Sequence, residues 1–341
     1  MELNGSDGSK NYKKLPFKIM SVDEAAKERV LFHFKGPFAG LLEVGPEKWI
    51  MPKRYSQCAE KLYNFEARSD DIWITTFPRS GTTWTQEMMW LLCNDLNYKE
   101  AKETVLTDRF PFFDFISRMN ALMLDENSND DETLRLKKYL PPSGLDVLPE
   151  MTSPRLIKTH LPIKLMPHDV LSKGCKIVYV ARNPKDVAVS YYHFVKNPAF
   201  SYTGNFEEFA DFFIDNLVIW GSHLEHVKDA WNRRNDSNVL FLFYEDLVID
   251  LENSLKKLAS FLGRPLCDKE LPDLMEHLNI DNFKVNNSVN MSDVMERGGS
   301  KWSFIRRGQI GGNQEMTAEI SKKIDEWTHE QLKGTGIRFN C

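Results

Sequence analysis

Residues 71–93 read DIWITTFPRSGTTWTQEMMWLLC, and the fold follows from how this stretch is parsed. DIWITT (71–76) is a short run of apolar and β-branched residues, the pattern of a buried strand. TTWTQEMMWLLCNDL (82–96) has the length and periodicity of a helix. Between them Pro78 and Gly81 punctuate a tight connection. The same alternation recurs further along the chain. RLIKTH (155–160) reads as a short strand, and KIVYVAR (176–182) as an apolar strand followed by the helix DVAVSYYHFVK (186–196). NVLFLFYEDL (238–247) reads as a further strand before the amphipathic LENSLKKLASFLG (251–263). Strands of four to eight residues separated by helices predict an α/β fold with a central, mostly parallel sheet flanked by helices. Ligands in such folds bind beyond the carboxyl ends of the strands.

The 341 residues are 42% hydrophobic and 27% charged, which excludes collagen-like, wholly disordered and small disulfide-scaffold classes. Forty-four Lys+Arg against 49 Asp+Glu give a net charge of -5. A mildly acidic chain is not built for general nucleic-acid or anionic-membrane binding, so an anion must be held by a local basic cluster. The five cysteines are widely spaced with no CxxC pair, which argues against a disulfide framework or zinc site and for a reducing compartment. MELNGSDGSKNYKK (1–14) lacks the apolar run of a secretory signal, and no stretch is long and apolar enough for a membrane span. Cytosol is therefore the expected location. Residues 1–14 read as a disordered tail and 15–341 as a single domain. Within it, PFFDFISRMNALML (111–124), DENSNDDE (125–132) and PPSG (141–144) form a lid-like insertion near 110–150. Residues 286–312, rich in Asn, Gly and Arg, read as a loop.

Four stretches carry chemistry. In TTFPRSGTTW (75–84), Ser80, Thr82 and Thr83 supply hydroxyls and the next helix begins with free N–H groups, a setting suited to phosphate. It departs from the Walker pattern GxxxxGK[ST]: the leading Gly is missing, Thr82 stands where the lysine belongs, and the cation comes earlier, at Arg79. The alternative is an ordinary strand–helix turn. In KIVYVARNPKDVAVS (176–190), Arg182 closes the strand and Ser190 follows two turns into the helix. Together they offer charge-assisted bonds to another phosphate, unless Arg182 pairs with a carboxylate such as Asp186. In RLIKTH, alternation along the strand projects Lys158 and His160 the same way, and a neighbouring cation keeps an imidazole neutral and able to accept a proton. In IRRGQIGG (305–312), Arg306, Arg307 and Gly308 could close over an anion or form a solvated basic turn.

As a set these residues resemble the cytosolic sulfotransferase family from about residue 50 to the end. TTFPRSGTTW is similar to its 5′-phosphosulfate loop, ARNPKDVAVSYYHF (181–194) to its 3′-phosphate strand and helix, RLIKTHLP (155–162) to its catalytic strand, and RRG to its closing loop. TQEMMWLLCNDLNYKEAK (85–102) and VLFLFYEDL (239–247) resemble an insect branch that includes a retinol dehydratase. The resemblance implies a phosphosulfate-binding fold, a 3′-phosphoadenosine 5′-phosphosulfate (PAPS) donor leaving as PAP, and no metal. It implies that Ser80, Gly81, Thr82 and Thr83 hold the 5′-phosphate, that Trp84 stacks on adenine, and that Tyr244 reaches the base region. Arg182, Ser190, Arg306, Arg307 and Gly308 would bind the 3′-phosphate. His160 would be the general base, Lys158 would hold acceptor and sulfonyl group, and Arg79 takes the position of the usual lysine. Phe112, Phe113, Phe115, Met119, Met123 and Phe194 are expected to line an apolar pocket for a small lipophilic hydroxyl compound such as a phenol, steroid or retinoid.

The sequence departs from the family at Arg79, at Gly312-Asn313-Gln314 where Asp-Trp-Lys is usual, and in NQEMTAEISKKIDEW (313–327), which lacks the KxxxTVxxxE dimer signature. HLNIDNF (277–283) matches loosely, and no residue is carried over from it. Alternative readings are a PAPS-dependent dehydratase of an allylic alcohol, an NTP-dependent kinase, and a non-catalytic binder of a lipophilic ligand.

Overall fold

A computed structural model describes residues 12–36, 40–114, 143–197, 200–290 and 305–340. An antiparallel three-stranded sheet comes first: β1 (Ile19–Ser21), β2 (Leu41–Val44) and β3 (Trp49–Pro52). The sequence reading passes over it because the strands are three and four residues long and Trp49, Ile50 and Met51 are all buried, so no alternation marks them. Helix α1 (Tyr55–Tyr63) leads into the main sheet. That sheet comprises β4 (Ile72–Thr75), β5 (Leu156–Thr159), β6 (Lys176–Ala181) and β7 (Val239–Phe243), in the order β5-β4-β6-β7 with every pair parallel. Phe112 adds a parallel bridge to Lys158 on the outer edge of β5.

Alternate strand residues feed opposite faces. Trp73, Ile157, Ile177, Tyr179 and Phe241 enter one hydrophobic cluster, whereas Ile74, Leu156, Val178, Val180 and Leu240 enter another. A sheet covered on both sides must be apolar on both sides, and each such side chain contributes roughly 1.5–3 kcal/mol by leaving water. α1 and α4 (His223–Trp231) contribute to the first cluster, and α2 (Thr82–Cys93), α5 (Leu251–Leu262) and α6 (Leu271–Leu278) to the second, whereas α3 (Pro184–Val195) packs in a third cluster around Phe77. NVLFLFYEDL is strand only to Phe243, and Tyr244–Ile249 is helical.

Polar groups buried near this sheet are paired. Arg155, just before β5, forks onto Asp71, just before β4, at 2.7 and 2.6 Å. Glu87, within the buried helix α2, receives Arg109 and His277 at 2.8 Å each. Such charge-assisted bonds fix which segments meet.

Of the expected N-terminal tail, residues 1–11 lie outside the described residues, and the Lys13 N–H donates to Asn64 Oδ1 at 2.7 Å. The insertion near 110–150 lies outside them from 115 to 142, as does 291–304 of the expected loop. The rest of that loop is not wholly irregular, since Asn287–Asn290 forms a helical turn. No helix among the described residues is long and apolar enough to cross a membrane.

Candidate active site

The turn after β4 contains two residues with left-handed backbone, Arg79 at φ 70° and Gly81 at φ 94°. A Cβ on Gly81 would lie 2.5 Å from the Tyr244 ring, so this position requires glycine for its backbone and for space. α2 begins at Thr82 with no side-chain cap, which leaves its first N–H groups to another partner. α3, by contrast, is capped by Asn183. Ser80 is 0% exposed, and its Oγ has no hydrogen-bond partner among the described residues. The open helix N-terminus, with Gly81, Thr82 and Thr83 on the cavity wall, makes a cradle for an anion; the orphaned Ser80 hydroxyl is next to it in the chain, but Ser80 is not among the residues lining that cavity.

Cations converge on that cradle. Arg182, at the end of β6, donates to the Arg79 carbonyl at 3.0 Å and the Gln309 carbonyl at 3.1 Å, with its guanidinium 4.2 Å from the Tyr244 ring centroid. Its Nε has no hydrogen-bond partner among the described residues. Asp186 does not pair with it: that carboxylate instead accepts from the Gly311 N–H and the Asn313 side-chain amide, both at 3.0 Å. Arg79 Nε donates to Ser190 Oγ at 3.1 Å, which brings the turn after β4 into contact with α3. Burial, with repulsion from Arg182 and Arg306, pushes the Arg79 guanidinium down to about 9. Burial also lowers Arg306, whose Nε is without a hydrogen-bond partner among the described residues. Cations crowded in this way gain when an anion arrives.

The closing loop is held by residues that the family pattern does not supply. Asn313 Oδ1 accepts from Arg306 and Arg307 at 3.3 Å each, and its amide reaches Asp186. Asn313 thus links both arginines to α3. Gly308 has φ 67°, and a Cβ there would lie 2.3 Å from the Ile280 side chain. Trp84 Nε1 donates to the Leu278 carbonyl at 2.9 Å, and its ring stands edge-on to Tyr244 with centroids 6.1 Å apart. Leu278 and Ile280, in the loosely matching HLNIDNF segment, therefore belong to the same wall.

β5 delivers Lys158 and His160 to this cavity, as the alternation predicts. His160 is fixed at three points. Its N–H donates to Asp114 Oδ1 at 3.0 Å, its carbonyl accepts from His226 Nε2 at 3.0 Å, and its Nδ1–H donates to the Thr76 carbonyl at 2.8 Å. With Nδ1 engaged, Nε2 is the ring nitrogen left for a ligand. Burial and the nearby Lys158 charge hold the imidazole well below the usual histidine range, hence neutral. Burial likewise pushes the Lys158 ammonium down to about 8, and the ammonium lies 4.2 Å from the Phe112 ring centroid. Phe112 and Trp220 meet the imidazole edge-on at centroid distances of 5.0 and 5.2 Å.

One cavity of about 1020 Å³ is lined by residues of all four stretches: Arg79, Gly81, Thr82, Thr83 and Trp84; Lys158 and His160; Arg182 and Ser190; Arg306, Arg307 and Gly308. Residues 69–336 match the sulfotransferase domain family. The chain belongs to the sulfotransferase family. This sulfotransferase is 33% identical to the luciferin sulfotransferase of Photinus pyralis over 94% of this chain and 88% of that protein. It is 34% identical to sulfotransferase 1E1 of Bos taurus, over 85% of this chain and 92% of that one. The crystal structure of retinol dehydratase in complex with retinol and PAP superposes with a TM-score of 0.87 at 32% identity, covering 96% of this chain and 100% of that chain.

The acceptor side needs correction. Phe112 and Phe194 line the cavity, but Phe113 does not. It is 0% exposed and packs edge-on against Phe65 and Trp73, both at 5.1 Å, because neighbours along an extended segment point to opposite faces. Phe115, Met119 and Met123 lie outside the described residues. Phe200, Trp220 and Asp114 line the cavity without having been foreseen. Asp114 carries one signal in the sequence, as an acid inside the apolar run PFFDF. Trp220 carries none, because its place depends on a left-handed backbone at φ 61°. Among the described residues no group of three or more His, Cys, Asp or Glu side chains could hold a metal ion.

Proposed function

We propose that this sulfotransferase takes PAPS as donor and acts on the hydroxyl of a small lipophilic acceptor, with His160 as general base. When bound, PAPS supplies the sulfonyl group and a phosphate leaving group. The observation that carries the reading is the convergence of Arg79, Arg182 and Arg306, none of them ion-paired to Asp186 among the described residues, beside the uncapped N-terminus of α2 and the orphaned Ser80 hydroxyl. Ser80 to Thr83 suit a 5′-phosphate, and Arg182, Ser190, Arg306, Arg307 and Gly308 a 3′-phosphate. Trp84 and Tyr244 frame the base. Arg182 bridges the turn after β4 and the 306–309 loop through its bonds to the Arg79 and Gln309 carbonyls.

The chemistry divides among the chain's own groups. His160 Nε2 takes the proton as the acceptor oxygen forms its bond to sulfur and the sulfur–phosphate oxygen bond breaks. Arg79 and Lys158 offset charge on the sulfonyl and leaving oxygens, a contribution on the order of 2.7–4 kcal/mol for one such donor. Even lowered to about 9, the Arg79 guanidinium stays protonated near neutrality, so Arg79 acts there by charge and hydrogen bonding. Phe112, Phe194, Phe200 and Trp220 give the acceptor side an apolar, ring-lined surface that favours phenols, steroids and retinoids over polar alcohols.

A dehydratase is the second reading, favoured by the likeness to retinol dehydratase. There the sulfate ester of an allylic acceptor loses its C–O bond with both electrons to the departing sulfate, and a carbon proton passes to a base. Labelled PAPS incubated with a panel of phenols, steroids and retinoids separates the two. The expected product is a stable labelled sulfate ester. Free labelled sulfate with a desulfated alkene would replace this reading by the second, and no PAPS consumption with any acceptor would defeat both.

A further inference from the structure

We propose that Asp114 is a positioning residue of the reaction, a carboxylate that fixes the end of the catalytic strand and keeps Lys158 charged. The inference rests on the roles just given to His160 and Lys158. Asp114 Oδ1 accepts from the Thr159 hydroxyl at 2.7 Å and from the His160 N–H at 3.0 Å, while Oδ2 accepts from Trp220 Nε1 at 3.0 Å. Three donors on one carboxyl group leave it no role as a donor and favour its ionised form. One group thus ties together the last residue of β5, the catalytic imidazole's backbone and the indole that flanks that imidazole. Asp114 also lines the cavity.

The electrostatic consequence follows from what faces each group. Lys158 faces the Asp114 carboxylate and the Arg79 guanidinium. His160 faces Lys158, His226 and Arg79. From α1, Tyr55 and Cys58 also face Asp114, but burial raises both, the cysteine to about 12, so neither carries charge near neutrality. Asp114 is therefore the negative partner that opposes desolvation of the Lys158 ammonium. Burial raises the Asp114 carboxyl above the usual aspartate value, and its three hydrogen bonds oppose that push without cancelling it. Activity needs neutral His160 and charged Lys158, so it fails in acid as the imidazole protonates and in alkali as the ammonium deprotonates. Deleting the Asp114 charge lowers the alkaline limit.

The test is the pH profile of kcat/KM for wild type, Asp114→Asn, Trp220→Phe and Lys158→Met, with the PAP dissociation constant as a check of fold. Asp114→Asn keeps shape, and is expected to retain PAP affinity, lower kcat more than it changes the KM for PAPS, and move the alkaline limb down by about one pH unit. An unmoved limb in a variant that binds PAP normally overturns the proposal. Trp220→Phe removes a hydrogen bond that holds the Asp114 carboxyl down but leaves its charge near neutrality, so Asp114 should protonate at higher pH and loosen the strand end, raising the acid limb while the alkaline limb stays. If neither limb of Trp220→Phe differs from wild type, the proposal fails even should Asp114→Asn not fold. Lys158→Met is expected to abolish the wild-type alkaline limb set by the ammonium and leave only a higher one set by Arg79, whose guanidinium lies at about 9. If the limb persists there, the role assigned to Lys158 fails, and with it this inference. If it is lost there but unmoved in Asp114→Asn, only the inference fails.

Discussion

Replacing His160 by Ala should lower kcat by about 10²–10⁴-fold, the span usual for a positioned general base, and leave PAP affinity nearly unchanged. The geometry separates the two functions. The imidazole is anchored through Nδ1 to the Thr76 carbonyl and through its main chain to Asp114 and His226, whereas the cations surrounding the cradle come from the loops at 79, 182 and 306. His160→Asn is the sharper variant, because its amide can still donate to the Thr76 carbonyl but cannot act as a base near neutrality. Steady-state kinetics with PAPS, alongside titration with PAP, check both variants. A fall in turnover matched by an equal loss of PAP affinity would make the residue structural.

Arg182→Ala should weaken PAP binding by roughly 10–150-fold, the equivalent of one charge-assisted hydrogen bond of about 1.5–3 kcal/mol. The loss should be confined to ligands with a 3′-phosphate, so that 5′-AMP binds the variant and the wild type alike. Arg182 also holds the Arg79 and Gln309 carbonyls, so part of the effect comes from loosening the closing loop on α3. Arg182→Lys keeps the charge but loses the fork, and a partial recovery is expected. Titration calorimetry with both nucleotides measures the contrast. Equal weakening towards PAP and 5′-AMP would assign Arg182 to loop structure alone.

The parallel sheet was legible because each strand is a compact apolar run bounded by punctuation, as in DIWITT before Pro78 and KIVYVAR before Pro184. Lys158 and His160 were legible as a pair because strand alternation is a local rule. The phosphate loops were legible as anion-capable, but a sequence cannot say whether Arg182 will find a carboxylate. That depends on Asp186 being engaged by Gly311 and Asn313, more than a hundred residues away. Phe113 was misplaced for a related reason: PFF offers two adjacent rings, and only docking beside β5 decides that Phe112 faces the cavity. Asp114 and Trp220 escaped because their significance lies in a hydrogen bond across 106 residues of chain. The N-terminal antiparallel sheet escaped because strands this short leave no periodic trace.

The central claim is that loops from four separated stretches assemble one site for a nucleotide carrying phosphates at both 3′ and 5′ positions. Calorimetric titration of the wild-type protein with 3′,5′-adenosine bisphosphate and with 5′-AMP measures that directly. Two or more charge-assisted bonds to the 3′-phosphate predict binding of the bisphosphate at least about 100-fold tighter than 5′-AMP. Indistinguishable affinities for the two nucleotides would contradict the account.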